Sequence, residues 1–90
     1  MLSLEYASQF KKDFKKITKY PIPDVVEVGH VIKQLQLSET LAEKYVDHAL
    51  SGNWQGYRDC HIKPDLVLIY KVDSSSLKLA RIGTHSELFK

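Results

Sequence analysis

Residues 1–6 read "MLSLEY", with Leu2 and Leu4 alternating against Ser3 and Glu5, a pattern that predicts a half-buried strand. A first helix is expected over residues 9–20, with Ser8 as its N-cap. Its Phe10, Phe14 and Ile17 fall at i, i+4 and i+7 and share one face. Pro21 and Pro23 in "PIPD" should stop that helix, since proline cannot continue the hydrogen-bond ladder. Asp24 is then expected to cap a second helix, with Glu27 three residues on completing a capping-box pattern. Val25, Val28, Ile32 and Leu35, with Val31 beside them, make its apolar stripe, and Gly29 offers a close approach to a neighbour.

Residues 37–52 read as a loop with a helical turn around 39–45, and "NWQGYRDCHI" that follows reads as a strand, with or without a bend. The segment "DLVLIYKV" is apolar on both parities, which is the mark of a strand buried on both faces and central in its sheet. "DSSS" is a turn, and "LKLARIG" alternates again as the partner strand of a hairpin. The order β-α-α-β-β-β predicts an α+β fold, with two N-terminal helices packed on one face of a mostly antiparallel sheet and the other face left open. The 90 residues are expected to form a single domain.

Composition narrows the class. Hydrophobic residues at 43% and charged residues at 27% favour a globular chain, and no apolar run reaches the roughly 20 residues of a membrane span. One cysteine, Cys60, allows no intramolecular disulfide and no cysteine-based zinc site. With no secretory signal pattern at residues 1–16, a cytoplasmic location is expected and a membrane is not. The net charge of +2 says little, but its distribution says more. Lys11, Lys12, Lys15, Lys16 and Lys19 crowd one short segment opposed only by Asp13. They form either a solvated helix face or a surface that tracks phosphates.

The chemistry concentrates in the C-terminal half. His48 lies in the loop entering the sheet, His61 and Asp65 flank the turn in "HIKPD", Arg81 lies in the last strand and His85 follows it. Singly each has a bland reading, and Arg58 with Asp59 reads as a surface pair. In an antiparallel hairpin, however, the start of one strand lies beside the end of its partner, which brings Asp65, His85 and His61 to one rim. Histidine can donate and accept a proton near neutrality. Such a set suits RNA cleavage: one group takes the proton of a ribose 2′-OH, another protonates the leaving 5′-oxygen, and a cation steadies the phosphate. Trp54 or Phe89 is placed to stack on a base. Three histidines and an aspartate are also a legitimate zinc set, though compact spacings such as His-Glu-x-x-His are absent. His30 on the second helix is excluded from the site. A non-catalytic protein that binds RNA or an acidic partner through the basic face is the reading from another class.

"YVDHALSGNWQGYRDCHIKPDLVLIYKV" followed by "RIGTHSELF" resembles the YafQ-type toxins of the RelE superfamily. The resemblance covers the whole chain and is strongest over residues 47–89. It implies a ribosome-dependent endonuclease that binds in the A site of the small subunit against rRNA, cuts the mRNA codon presented there, and is neutralised by a co-expressed antitoxin. No cofactor or metal is implied. The family's functional positions correspond to His48, His61, Asp65, His85 and Phe89, with Arg81 a further candidate; Lys11, Lys12, Lys15 and Lys16 of the basic helix face are expected on the RNA backbone from their charge alone. We assign His48 as base, His85 as acid, His61 and Asp65 as positioning groups, and Arg81 to the phosphate; other divisions among the three histidines stay open. The best-known relative has a tryptophan directly after the motif aspartate, where Leu66 stands here, which bears on codon preference. Ala49 stands in place of proline after His48.

Overall fold

The computed structural model describes residues 1–89. Its elements are β1 (Ser3–Tyr6), α1 (Ser8–Ile17), α2 (Ile22–Gln36), β2 (His48–Ala49), β3 (Arg58–Lys63), β4 (Leu66–Asp73), β5 (Ser76–Gly83) and α3 (His85–Leu88), with 3₁₀ turns at Glu43–Tyr45 and Gly52–Trp54. The five strands form one sheet in the order β1-β5-β4-β3-β2, antiparallel except for β1 against β5. The expected α+β order holds. The two-residue β2 and the four-residue α3 are additions to it.

Both helices pack on one face. Phe10 and Ile17 of α1 and Val28, Val31 and Leu35 of α2 meet Leu66, Leu68 and Tyr70 of β4 and Leu77, Leu79 and Ile82 of β5. The opposite parity of β4, Val67 and Ile69, is also buried, under Ala80 and Leu88 with Leu50, Trp54 and Tyr57 against it. β4 is therefore covered on both faces, as its unbroken apolar run required. The second face is not open along its whole length, because α3 folds back across it. Gly83 permits this: a Cβ there would lie 2.8 Å from Glu87 Oε1 and 3.6 Å from Leu88.

Three local expectations are corrected. Asp24 does not cap α2. The helix starts earlier, at Ile22 with Pro21 as N-cap, because the first-turn N–H groups have no intrahelical partner, so Pro23, which has no N–H, costs the helix no bond there. Asp24 sits inside that turn and pairs with Lys63, and Glu27 accepts a short hydrogen bond from the Tyr45 hydroxyl instead of closing a capping box. α1 begins at Ser8 behind Ala7 and ends at Ile17, where the Thr18 hydroxyl donates to the Lys15 carbonyl. Gly29 is exposed with nothing near it, so it mediates no close approach.

Two register shifts set which side chains face the site. In the β4–β5 ladder Tyr70 pairs with Leu79 but Ile69 pairs with Arg81, which leaves Ala80 as an extra residue. The bulge reverses the parity of β5 beyond it. Ile82 thus enters the helix-side core, and Arg81 stands on the same face as Ile69 and Asp59. A second shift, between His61 and Lys63, occurs where β3 turns into β4.

Candidate active site

β2, β3 and β4 line up two rows of side chains. His48 is opposite Asp59, which is opposite Ile69 and then Arg81. His61 is opposite Val67, which is opposite Gly83, and Gly83 leads through Thr84 into His85. Consecutive strand residues point to opposite faces, so Asp59 and His61 share the face away from the helices. Cys60 and Ile62, of the opposite parity, are buried in the core.

The three histidines form a file at the end of that face. The ring centres of His48 and His61 are 6.3 Å apart, those of His61 and His85 are 4.9 Å apart, and Phe89 stands 6.2 Å from His85. Asp65 Oδ1 accepts both the backbone N–H of His85, at 2.9 Å, and its ring Nδ1, at 2.8 Å. Those two bonds, the backbone one first, hold the Asp65 carboxyl below its ordinary range although it is exposed to solvent. The Asp65 carboxylate fixes His85 Nδ1 as the donor, leaving Nε2 for a reacting group.

α3 is held without help from the His85 ring. Thr84 accepts from the Glu87 backbone, and the Glu87 carboxylate accepts from the Thr84 backbone N–H, a full capping box. Leu88 anchors the helix in the second core. β2 is fixed by the chain before it. Asp47 accepts from the Tyr70 hydroxyl at 2.7 Å and from Arg58 Nε at 3.3 Å.

Arg81 is more engaged than expected. Its Nε donates to Asp13 Oδ2 at 2.7 Å and its Nη2 to Oδ1 at 3.3 Å. Asp13 also takes the backbone N–H of Ile82, a donor on the edge of β5 left bare because β1 ends opposite Leu79. Burial pushes the Asp13 carboxyl up, but the bonds from Arg81, Gln9 and Ile82 outweigh it and hold it below its ordinary value. Asp13 is therefore not the counter-charge to the lysines that sequence spacing suggested. Lys11, Lys12 and Lys15 are exposed, and Lys16 reaches Glu87 at 3.4 Å across solvent.

Trp54 is half-buried and packed against its neighbours. It packs edge-on to Tyr57, with ring centres 5.3 Å apart, over the second core. Phe89, 38% exposed beside His85, is the aromatic at the rim. Cys60 is wholly buried, and burial pushes its thiol up to about 12, so it offers no thiolate for chemistry. The surface pair expected of Arg58 and Asp59 does not form. Arg58 turns to Asp47, while Asp59 lies beneath the histidines, 3% exposed. Strand alternation was the signal that would have separated them.

Among the described residues, no group of three His, Cys, Asp or Glu side chains is arranged to hold a metal ion, and no helix is long and apolar enough to cross a membrane. An imidazole can both give and take a proton near neutrality, so a file of three histidines is chemically suited to proton transfer.

This is an α+β protein with three histidines and an aspartate gathered at the end of its sheet. The chain belongs to the YafQ family of bacterial toxins of type II toxin–antitoxin systems, whose family model matches residues 2–90. It is 40% identical over 88 residues to the mRNA interferase toxin YafQ of Escherichia coli K12, covering 96% of this chain and 94% of that one. It is 39% identical over 93 residues to the putative toxin YafQ of Haemophilus influenzae, covering 96% and 90%. The crystal structure of the E. coli DinJ–YafQ complex superposes with a TM-score of 0.88 at 37% identity, over the full length of both chains. A copper-bound variant of a toxin from Helicobacter pylori superposes at 0.90 with 42% identity, covering 99% of this chain and all of that one.

Proposed function

We propose that this chain is the toxin of a type II toxin–antitoxin pair and acts as an endoribonuclease on mRNA held by the ribosome. Membership of the YafQ family supports the toxin, and the name of its E. coli relative supports mRNA as the substrate. The observation that carries the chemistry is the file of His48, His61 and His85 with Asp65 bonded to the last.

The ribose 2′-OH is the nucleophile. His48 takes its proton through Nε2 as the oxygen attacks the adjacent phosphorus. The bond to the 5′-oxygen breaks, and His85, oriented by Asp65, delivers a proton to that leaving group. The products are a 2′,3′-cyclic phosphate and a 5′-hydroxyl, so the protons and bonds balance without water or metal. His61, between the two, positions the rings. Arg81 lends positive charge to the phosphate from its Asp13-fixed position. Phe89 stacks on a base beside the cut. Lys11, Lys12, Lys15 and Lys16 track the phosphates of the ribosomal A site, and an acidic segment of the antitoxin competes for the same face in the resting cytoplasmic complex.

The test is induced expression with and without the antitoxin, followed by mapping of mRNA 5′ ends on translating ribosomes. New ends inside codons are expected within minutes of induction without the antitoxin and absent with it. Changing Lys11 and Lys15 to glutamate is expected to weaken both cleavage and antitoxin binding, with the difference shrinking as salt rises. An unaltered mRNA end map would overturn the enzymatic reading in favour of a binding protein.

A further inference from the structure

Asp59 is the one carboxylate of the site buried in the protein. It is 3% exposed and sits on the first row of side chains, directly across from His48. Burial raises its carboxyl above the ordinary value, against the pull of His48 from β2, His61 from its own strand and His85 from α3, with Asp47 before β2 adding repulsion. A buried carboxylate is costly, and this one also has an oxygen, Oδ1, without a well-formed hydrogen bond. An apolar residue there would suit the core better. Its retention calls for a reason in the chemistry.

That reason lies at His48 Nδ1. The nitrogen is 2.9 Å from the Val46 carbonyl and 3.1 Å from Asp59 Oδ1. Both neighbours are acceptors, so Nδ1 must carry the hydrogen, and a neutral His48 must keep its lone pair on Nε2. The backbone is bent to make this contact. Val46 adopts φ 49° and ψ 46°, the left-handed conformation, which a β-branched residue rarely takes. Its carbonyl sets the direction of the Nδ1–H, and Asp59 supplies negative charge beside the ring at an angle too poor for a true hydrogen bond.

We propose that Asp59 is a positioning residue: with the strained Val46 carbonyl it holds His48 as the Nδ1–H tautomer, turns Nε2 to the RNA, and steadies the imidazolium that forms when His48 takes the 2′-OH proton. The inference rests on the acid–base reading of the site and makes His48 the base. Asp59 touches no substrate. It acts on His48 as Asp65 acts on His85, with one carboxylate buried and the other exposed.

Two measurements test it. The first is nitrogen-15 NMR of the histidine rings in the unmodified toxin freed from its antitoxin. The neutral His48 ring is expected to show a protonated Nδ1 and a bare Nε2; the reverse tautomer would overturn the proposal whatever the enzyme does. The second is the pH–rate profile of Asp59→Asn, which keeps the shape and removes the charge. Its kcat is expected to fall about 10- to 100-fold, less than when a triad loses its tautomer control altogether, because Val46 still orients the ring. KM is expected to stay within about twofold. The acidic limb of the profile should move to lower pH, since an imidazolium without its carboxylate loses its proton more easily. An unchanged limb and rate would refute the role. Should the NMR show the expected tautomer while the wild-type toxin cuts no mRNA, the ribonuclease reading fails and the hold of Asp59 on His48 stands.

Discussion

Replacing His85 by alanine lowers the rate of mRNA cleavage by about 10²- to 10⁴-fold and leaves the fold intact, the loss expected when one positioned proton donor is removed. The ring is half exposed and contributes no core packing. The Thr84–Glu87 capping box and the buried Leu88 keep α3 in place without it. Asp65 retains the backbone N–H of residue 85, so the rim keeps one of its two bonds. The variant should therefore unfold at nearly the wild-type denaturant concentration and bind antitoxin, yet fail to arrest growth. Cleavage rates on programmed ribosomes, paired with a denaturation curve, check both halves. A folded variant that cuts at the full rate would remove His85 from the chemistry.

The second large effect is on stability. Asp13→Ala breaks two bonds to Arg81 and one to Ile82 N–H at the bare edge of β5. Removing one partner of a buried ion pair typically costs about 3–5 kcal/mol. Arg81 keeps some access to water, so about 2–3 kcal/mol is expected here. The folded-state carboxyl lies below its ordinary 3.8, so its contribution is fully present above that pH and is lost as pH falls through the folded-state value. Urea unfolding of the two proteins should differ by that amount at neutral pH and converge under strong acid. A difference that does not change with pH would mean that Asp13 acts by packing and not by charge. On the proposed role of Arg81 at the phosphate, the variant should also lose activity beyond what its folded fraction explains.

Where local pattern and burial agree, the sequence was legible. The apolar run of β4 announced a strand covered on both sides, and the periodicity of Phe10, Phe14 and Ile17 gave the face of α1. Strand order alone brought Asp65 to His85, since a hairpin places the start of β4 beside the end of β5. Other features lie outside what periodicity carries. β2 has two residues, too few for any alternation, and its place is set by non-local bonds from Tyr70 and Arg58 to Asp47. The bulge at Ala80 reverses which residues of β5 face the core, so simple alternation cannot place Arg81 and Ile82. The Asp13–Arg81 pair joins residues 68 positions apart. Two misses were avoidable. "THSE" has the spacing of a capping box and marked α3. The adjacency of Arg58 and Asp59 in a strand sends them to opposite faces, which placed Asp59 with His61.

Everything in the proposed chemistry depends on the ribose as its own nucleophile. The most direct test is end-group analysis of the upstream fragment from ribosome-bound mRNA, alongside an mRNA carrying a single 2′-deoxy sugar at the cut. A 2′,3′-cyclic phosphate or its 3′-phosphate, and no cleavage at the deoxy position, are the predicted results. A 3′-hydroxyl end, or undiminished cutting of the deoxy substrate, would mean that water attacks the phosphorus and would contradict the acid–base division between His48 and His85.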